Sequence, residues 1–500
     1  MRKLWRLLAL PIVLLGLPAG DCRAEDSPEP AAEAGAAAGT MAETETGTET
    51  GAAAGTEAGT TAGVEPAPPE KNSAENSRLA VIHYGTETEI AALIQTLKAE
   101  NADYLDDELI AMVENTRNRS ILSGVFSFFG DRGKGGLEDR AIRAIEERDE
   151  EVNETVLSAV EYLGRVKAGA AVGPLMELID HDEQRFFNGA IRALGRIGGT
   201  DREEADRIAI YLMDFYTESD PASENRRETV SALGAAGSVK AVAFLSEIAD
   251  SGDERVPLRI AALEALSKIG DEGGLKSILA AVTAQDPNIR SAAVEALGPF
   301  SGPEADRAIL EAFRDSYYRT RIAAARAARE RKLKEAVPYL KFRAERDEVP
   351  AVKDEAIRAL GAIAAEDSAS QEAETILKEL FGERKNSDRV RIGAAEMLMK
   401  YDPGRYLDAL TVELDEAKRK NQTPLYNGFL KVAGEAKTEK LIDTARRFLR
   451  SGGIIEKSYA LDMAVNNGLR GLSEEIKALT EDKNASLAGK ARRTLEKLEE

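Results

Sequence analysis

The sequence predicts an all-α protein, a right-handed α-solenoid (superhelix) of about a dozen helix pairs that is preceded by a disordered tether. Three observations support this prediction. A pattern of apolar residues recurs every 31 to 39 residues along most of the 500-residue chain. No stretch of convincing length alternates between polar and apolar residues, which is the pattern of a half-buried strand. Aromatic residues make up only 5% of the chain, so its core must consist of aliphatic side chains and alanine.

Residues 1–24 have the three parts of a secretory signal peptide. Three basic side chains precede an apolar stretch at 7–17, and Cys22-Arg23-Ala24 offers a cleavage site. Because a membrane span needs about 20 residues, this stretch is too short to cross one. We therefore expect an exported, periplasmic protein that begins at Glu25. The alternatives are an uncleaved anchor and a lipid anchor on Cys22, since residues 17–22 loosely resemble a bacterial lipobox with Asp21 at a position that prefers a small neutral residue.

Residues 25–77 are predicted to be a disordered tether. Between residues 31 and 63 nearly every residue is Ala, Glu, Gly or Thr, and Gly-Ala-Ala-Ala-Gly-Thr occurs twice. The tether has a net charge of −10 and few large apolar groups, so burial cannot offset the entropy lost on ordering. Residues 78–500 carry a net charge of −14 and form the predicted solenoid.

Each period of the solenoid can be aligned on one apolar residue, which we call the anchor. The thirteen anchors are Leu97, Phe129, Leu163, Leu194, Leu233, Leu266, Leu297, Ala328, Leu360, Leu398, Ala433, Ala464 and Leu495. Apolar residues three positions before the anchor and alanines four positions before it share one helical face, which predicts a buried inner helix. A second amphipathic segment in each period predicts an outer helix. Glycine directly after seven anchors, as at Gly195 and Gly234, predicts left-handed helix ends.

Two short antiparallel helices per period, with this inner-helix pattern, resemble the HEAT-repeat family, in particular the short bacterial type also found in phycobilisome lyase-like proteins. The resemblance covers about residues 85–500. It implies a ladder in which a basic residue seven positions before the anchor, such as Arg290 or Arg321, pairs with an aspartate of a turn. Asp286 and Asp388 are the expected partners. The longest intervals, 194–233 and 360–398, should contain extended outer helices or loops.

The composition excludes several kinds of chemistry. With one cysteine and two histidines, the chain has no disulfide framework and no Cys/His zinc site. His83 and His181 are 98 residues apart, so they cannot form the His-Glu pairs with which HEAT-like metal hydroxylases hold a di-iron centre. Segment 130–136 imitates a phosphate-binding loop but lacks its first glycine and the Ser/Thr after Lys134, so a turn is expected there. We therefore expect no cofactor, no metal site and no catalytic residue.

The candidate partner-binding residues lie two positions before the anchors. All thirteen of these residues are polar, beside a column that is almost wholly apolar. They should form a ridge along the concave face, where solenoids bind partners. The charged candidates are Arg192, Glu264, Glu295, Arg326, Arg358, Glu396 and Lys431. The alternative is a solvated ridge whose opposite charges pair between repeats.

Near the N-terminus, six large apolar residues lie within nine positions. They are Ile121, Leu122, Val125, Phe126, Phe128 and Phe129. They form either the core of a capping region or an exposed docking patch.

These observations together favour an exported scaffold that is not an enzyme and that binds a protein or peptide in the bacterial cell envelope. Mixed charges on the ridge favour such a partner over a polyanion. Two alternatives remain, a lyase-like enzyme acting on a bound cofactor and a nucleic-acid-binding HEAT protein. The net charge of −21 argues against nucleic acid. No transmembrane span is expected after signal cleavage.

Overall fold

The computed structural model describes residues 71–181, 184–218, 225–366 and 371–499. The predicted signal peptide and the predicted tether up to residue 70 lie outside these ranges. The described residues form 26 α-helices and no β-strand, which confirms the all-α class. The first helix, α1, spans Lys71–Tyr84 and therefore begins within the segment predicted as tether. The compact unit that contains all of these helices begins at Glu70.

The inner helices are the even-numbered ones, and every anchor lies in its inner helix except Leu297, which directly follows one. They are α2 Glu87–Glu100, α4 Arg119–Arg132, α6 Asn153–Arg165, α8 Gln184–Gly198, α10 Asn225–Ala236, α12 Val256–Ile269, α14 Pro287–Ala296, α16 Tyr318–Glu330, α18 Pro350–Ala364, α20 Asp388–Tyr401, α22 Thr423–Glu435, α24 Ile454–Asn466 and α26 Ala485–Glu499.

The outer helices alternate with them along the chain. After α1 they are α3 Asp106–Val113, α5 Glu138–Glu146, α7 Val172–Asp180, α9 Arg202–Glu218, α11 Val242–Asp250, α13 Leu275–Ala281, α15 Pro303–Ala312, α17 Val337–Arg346, α19 Gln371–Gly382, α21 Pro403–Arg419, α23 Ile442–Ser451 and α25 Ser473–Leu479. The thirteen described helix pairs agree with the dozen predicted.

One continuous apolar core follows the whole array, from Ile82 to Leu498. Each inner helix packs against the next inner helix and against its own outer helix. The alanines four positions before the anchor, such as Ala293 and Ala356, are fully buried. Their small size lets neighbouring inner helices approach one another closely. The predicted buried face of the inner helices is thus confirmed.

The intervals between anchors differ mainly in the length of their outer helices. The long interval 194–233 contains α9, which has 17 residues, as the prediction of an extended outer helix requires. The interval 360–398 contains α19, with 12 residues. The 17-residue α21 lies in an interval of ordinary length that the sequence did not single out.

Contrary to prediction, none of the seven glycines after the anchors is left-handed, and all of them except Gly298 lie inside their inner helices. Gly195 and Gly234 lie inside α8 and α10, where the next inner helix leaves no room for a side chain. A Cβ atom on Gly234 would lie 2.6 Å from the Cα of Ala265, and one on Gly195 would lie 2.9 Å from the Cα of Ala232. These glycines are contact points between neighbouring helices.

Left-handed residues instead lie four positions after the anchor. Seven described residues at this position have a φ between 51° and 75°: Asn101, Gly133, Lys167, Gly237, Gly270, Lys332 and Gly468. This conformation turns the chain away from the inner helix and towards the next outer helix. Lysine and asparagine serve at some repeats, so glycine alone does not mark the helix end.

The predicted ladder of basic residues ties neighbouring repeats together. Arg321 donates from Nε and Nη2 to the two carboxylate oxygens of Asp347, at 2.7 and 2.9 Å. Its Nη1 donates to the carbonyls of Asp315 and Ser316, which fixes the turn before its own helix. One side chain therefore holds its own turn and the turn of the following repeat.

The aspartates in the ladder differ from those predicted. Arg290 pairs with Asp315 through bonds of 2.7 and 3.0 Å, so the carboxylate comes from the turn that precedes the next inner helix. Asp286 accepts hydrogen bonds from the backbone N–H groups of Asn288 and Ile289 and caps α14. Asp388 lies in the first turn of α20.

Candidate functional site

The predicted ridge lies on the exposed face of the inner helices. Six of its seven charged candidates are exposed, and the seventh, Glu396, is half-buried. The exposed six are Arg192, Glu264, Glu295, Arg326, Arg358 and Lys431. The neighbouring column one position before the anchor is mostly buried, so the two columns separate as the sequence indicated.

Several ridge charges are paired. Arg326 and Glu295, on consecutive inner helices, form an ion pair with a distance of 3.2 Å between Nη1 and Oε1. Arg358 pairs at 2.8 Å with Glu355, whose side chain is only 6% exposed. The Arg326–Glu295 pair fits the alternative of a ridge whose charges pair between repeats, whereas the Arg358–Glu355 pair lies within one helix. Both pairs leave the arginines exposed enough to meet a partner.

Four consecutive inner helices, α10 to α16, line a groove of about 730 Å³ on this face, which we call the inner groove. The ridge residues Glu264, Glu295 and Arg326 line it. Its apolar lining includes Ile260 and Ile322, both half-buried. The groove thus combines apolar surface with charges of both signs.

The sequence reasoning missed part of this lining. Arg227, Ile260 and Ile322 lie six positions before their anchors, and Pro257 and Arg319 lie nine positions before theirs. Positions nine, six and two before the anchor are three and four residues apart, so they share one helical face. Counting back four and then three residues from the polar column identifies these positions from the sequence, because an α-helix has 3.6 residues per turn.

A second groove, of about 450 Å³, lies on the same face further along the chain. It brings together Arg358 and Glu396 of the ridge with Ile392 and Met397. Lys431 lies on the following inner helix and is paired with Glu435 at 3.8 Å. The candidate site is therefore a face that extends over several repeats.

The apolar cluster 121–129 is not a docking patch. All six side chains, Ile121, Leu122, Val125, Phe126, Phe128 and Phe129, are at most 2% exposed. The helix α4 is covered on more than one side, because it packs against α2, α3 and α6. The Phe126 ring stacks on Tyr162 at 5.6 Å, and the Arg132 guanidinium covers Phe128 at 3.9 Å. The cluster is core, and the exposed alternative is wrong.

Segment 130–136, which resembles a phosphate-binding loop in sequence, contains the end of α4 and the turn that follows it, as expected. Gly133 has a φ of 62° and follows α4, and the Lys134 N–H donates to the Phe129 carbonyl, which closes the helix end. The Lys134 ammonium pairs with the buried Asp106 at 3.0 Å. His83 and His181 are both exposed.

No group of three or more His, Cys, Asp or Glu side chains in the described ranges is arranged to hold a metal ion. Among the residues that the structure describes, no helix combines the length and the apolar character needed to cross a membrane.

Several groups with shifted pKa values lie in contacts that join neighbouring repeats. The Tyr406 hydroxyl donates to Glu374 of the preceding repeat, and burial together with this carboxylate raises the pKa of Tyr406. Burial alone would raise the pKa of Glu456, but hydrogen bonds from Lys418 and Tyr426 hold it below its usual value. These groups stabilise the array.

Stacked helix pairs, a continuous core and an exposed inner-helix face define an α-solenoid of the HEAT-repeat class. Its particular family is the one described as "Spirochaete HEAT repeat protein", which matches residues 82–494, and the chain belongs to it. The predicted HEAT-repeat family is confirmed. The finer resemblance to the repeats of phycobilisome lyase-like proteins stays a prediction.

Several solved structures are similar to this chain. The karyopherin Kap121p bound to the extreme C-terminus of the protein phosphatase Cdc14p is 13% identical, with a TM-score of 0.43, over 86% of this chain and 54% of that chain. The chain thus spans about half the length of this karyopherin. Human deoxyhypusine hydroxylase in complex with glycerol is 20% identical, with a TM-score of 0.24, over 53% of this chain and 97% of that chain. No curated protein matches the sequence.

Proposed function

We propose that this protein is an exported interaction scaffold, and not an enzyme, which binds a protein or peptide on the concave face formed by its inner helices. The observation that carries the proposal is the inner groove. Its volume of about 730 Å³ lies within the range of about 300–1,000 Å³ that ligand pockets have. It is bordered by four consecutive repeats, so a bound segment would contact several of them.

The lining of the inner groove suits a polypeptide. Half-buried apolar side chains such as Ile260 and Ile322 gain free energy when a partner covers them. Charges of both signs, such as Glu264 and Arg326, fix the orientation of a partner and reject wrong ones. A lyase-like enzyme is less favoured because its site would need titratable groups with perturbed pKa values in the groove, whereas the shifted tyrosines and glutamates described above join repeats.

Export to the periplasm, the second part of the proposal, rests on the signal-like residues 1–24. N-terminal sequencing of the protein from the envelope fraction tests it, and the expected first residue is Glu25. An acylated Cys22 would replace free export with a lipid anchor, and a chain found in the cytoplasm would remove this part of the proposal.

Site-specific crosslinking tests the binding function. A photoreactive residue in place of Ser291, which lines the inner groove, should crosslink a discrete protein in intact cells. The same residue in place of Lys276, exposed on the outer helix of that repeat, is the matched control and should not capture this protein.

A steric block makes the test independent of the charge of the partner. Ser291→Trp fills the inner groove, so it should prevent capture by a photoreactive residue placed at Glu295, whereas Lys276→Trp should not. Equal capture from the inner and outer helices, or capture that the tryptophan leaves unchanged, would contradict binding in the inner groove.

A further inference from the structure

The exposed inner-helix face is basic, although the whole protein is acidic. At positions nine, six and two before the anchors of α8 to α22, the described residues include eight basic side chains, all of them exposed. These eight are Arg185, Arg192, Arg227, Arg319, Arg326, Arg358, Arg389 and Lys431. The same positions hold five acidic residues, of which Glu264, Glu295, Asp354 and Glu396 lie in the described ranges and Glu224 lies outside them. We call these eight basic residues the arginine track. They form a basic surface although residues 78–500 have a net charge of −14.

Some of the arginine track is neutralised within the protein. Arg326 pairs with Glu295 at 3.2 Å, and Arg389 pairs with both carboxylate oxygens of Asp354. The acidic residues of the face are thus partly occupied by arginines of the next repeat.

Arg227 and Arg319 differ from these paired residues, and they come from the first and the last of the four helices that line the inner groove. Arg319 donates from Nε to the neutral Tyr318 hydroxyl at 3.2 Å, and the residues that the structure describes place no ion pair on it. Arg227 is exposed, and the described part of the chain places no ion pair on it. Positive charge is therefore available at both ends of the inner groove.

Apolar side chains alternate with polar ones along the middle column of this face. Six positions before the anchor, Ile260, Ile322 and Ile392 come from every second repeat, and Ser291 and Asp354 come from the repeats between them. Packed helix layers are about 8–10 Å apart, so successive isoleucines are about 16–20 Å apart. An extended chain rises about 3.3 Å per residue and covers this distance with five or six residues.

We propose that the inner groove recognises an acidic, extended segment of a protein partner whose apolar residues recur every five or six positions. This inference rests on the proposed function and names the chemistry of the partner. Carboxylates of the segment pair with Arg227 and Arg319, because guanidinium groups bind carboxylates with two parallel hydrogen bonds. Its apolar side chains pack against Ile260 and Ile322.

The same face is poorly suited to a nucleic acid. Glu264, Glu295 and Glu396 interrupt the arginine track and would repel a phosphate backbone, which carries a charge at every nucleotide, whereas a peptide can place uncharged residues opposite these glutamates. The half-buried isoleucines gain little from a sugar-phosphate chain but are covered well by aliphatic side chains. A protein segment can match both the charges and the isoleucines of this face.

Fluorescence anisotropy with the full chain from Glu25 tests the proposal. The probe is a labelled 20-residue peptide of glutamate and serine with leucine at every sixth position. Two control peptides have every glutamate replaced by lysine or every leucine replaced by serine, and a 20-nucleotide single-stranded DNA is the polyanion control. We expect the acidic leucine peptide to bind at least tenfold more tightly than each control.

Variants of the protein locate the binding. Arg227→Glu and Arg319→Glu should each weaken binding of the acidic leucine peptide at least tenfold, and Ile322→Ala should weaken it severalfold. Arg346→Glu, at an exposed arginine of the outer helix α17, is the matched control and should leave binding unchanged. Circular dichroism checks folding, and Arg227→Gln and Arg319→Gln replace any charge-reversal variant that does not fold.

Each contrary result overturns the inference in its own way. Tighter binding of the DNA would assign the face to nucleic acid, and equal binding of the serine peptide would reduce it to charge attraction. Binding that appears only after the glutamates of residues 25–70 are changed to glutamine would make the protein's own acidic segment the occupant. If crosslinking at Ser291 captures a protein while no acidic peptide binds, the scaffold function stands and this inference fails.

Discussion

Gly234→Ala should destabilise the array, although alanine normally stabilises a helix relative to glycine. The Cβ atom of the variant would lie 2.6 Å from the Cα and 2.7 Å from the Cβ of Ala265. Carbon atoms in contact are about 3.5–4.0 Å apart, so α10 and α12 must separate by about 1 Å. Such overpacking costs about 1–3 kcal/mol.

The higher helix propensity of alanine offsets part of this cost, by about 0.5–1 kcal/mol. The net loss of unfolding free energy is the difference between the overpacking cost and this gain, which is about 1 kcal/mol within a range of about 0 to 2.5 kcal/mol. Gly489→Ala in α26 is the matched control, because its Cβ atom would meet only the Nη1 of Arg493, at 3.8 Å. That variant should be as stable as the wild type or more stable.

Urea denaturation gives the free energies of both variants, and hydrogen exchange with mass spectrometry locates the change. Faster exchange should be confined to α10, α12 and their neighbours, since repeat arrays couple between adjacent units. If Gly234→Ala proves as stable as Gly489→Ala, the close approach of the two helices does not limit the side chain. Uniform loss of protection along the chain would refute the description of the fold as a repeat array.

Three further predictions concern the core, the ladder and the N-terminal segment. Ala293→Leu, at a fully buried contact, should cost about 1–3 kcal/mol in urea denaturation, whereas Glu295→Gln on the exposed ridge should cost less than about 0.5 kcal/mol. Burial alone would raise the pKa of Asp347, but hydrogen bonds from Arg321 and the Val349 N–H hold it below its usual value. The stability that this low pKa contributes is fully present when the pH is above the pKa of aspartate in the unfolded chain, about 3.9. It is lost as the pH falls through the lower pKa of Asp347 in the folded protein. Asp347→Asn should therefore cost about 3 kcal/mol at pH 7 and lose less further stability than the wild type between pH 5 and pH 2; parallel losses would contradict this assignment. Deleting residues 25–70 should leave the melting temperature unchanged, and a fall of several degrees would show that the segment packs on the array.

The inner helices could be predicted from the sequence because each anchor and its neighbours follow the 3.6-residue period of a buried face. The ends of the inner helices could not be predicted in this way. Gly234 is required for close packing against Ala265 of the next repeat, 31 positions away, and not for ending its helix. A glycine after an apolar residue suits both a helix end and a close contact, and only the packing decides between them. The same limit explains the ladder, in which the partner of Arg290 comes from a turn 25 residues later.

The candidate site was predicted in part. The column two positions before the anchor was found because all of its members are polar. Ile260 and Ile322 were not considered part of this face, because an apolar residue on an inner helix suggests core unless its angular position is compared with the polar column. The sequence left two alternatives for the cluster 121–129, core or docking patch, because only the packing shows that α4 is covered on several sides.

The bonds of Arg290 and Arg321 have a consequence for how the molecule responds to a pulling force. When an array of adjacent units is stretched from its two ends, its interfaces open one at a time, the weakest first. Each of these arginines joins two repeats through two parallel bonds to a carboxylate, so the interfaces from α14 to α18 should open late. These repeats also form part of the inner groove. Under tension the repeats outside α14 to α18 should therefore separate first, while the part of the groove formed by α14 and α16 keeps its shape.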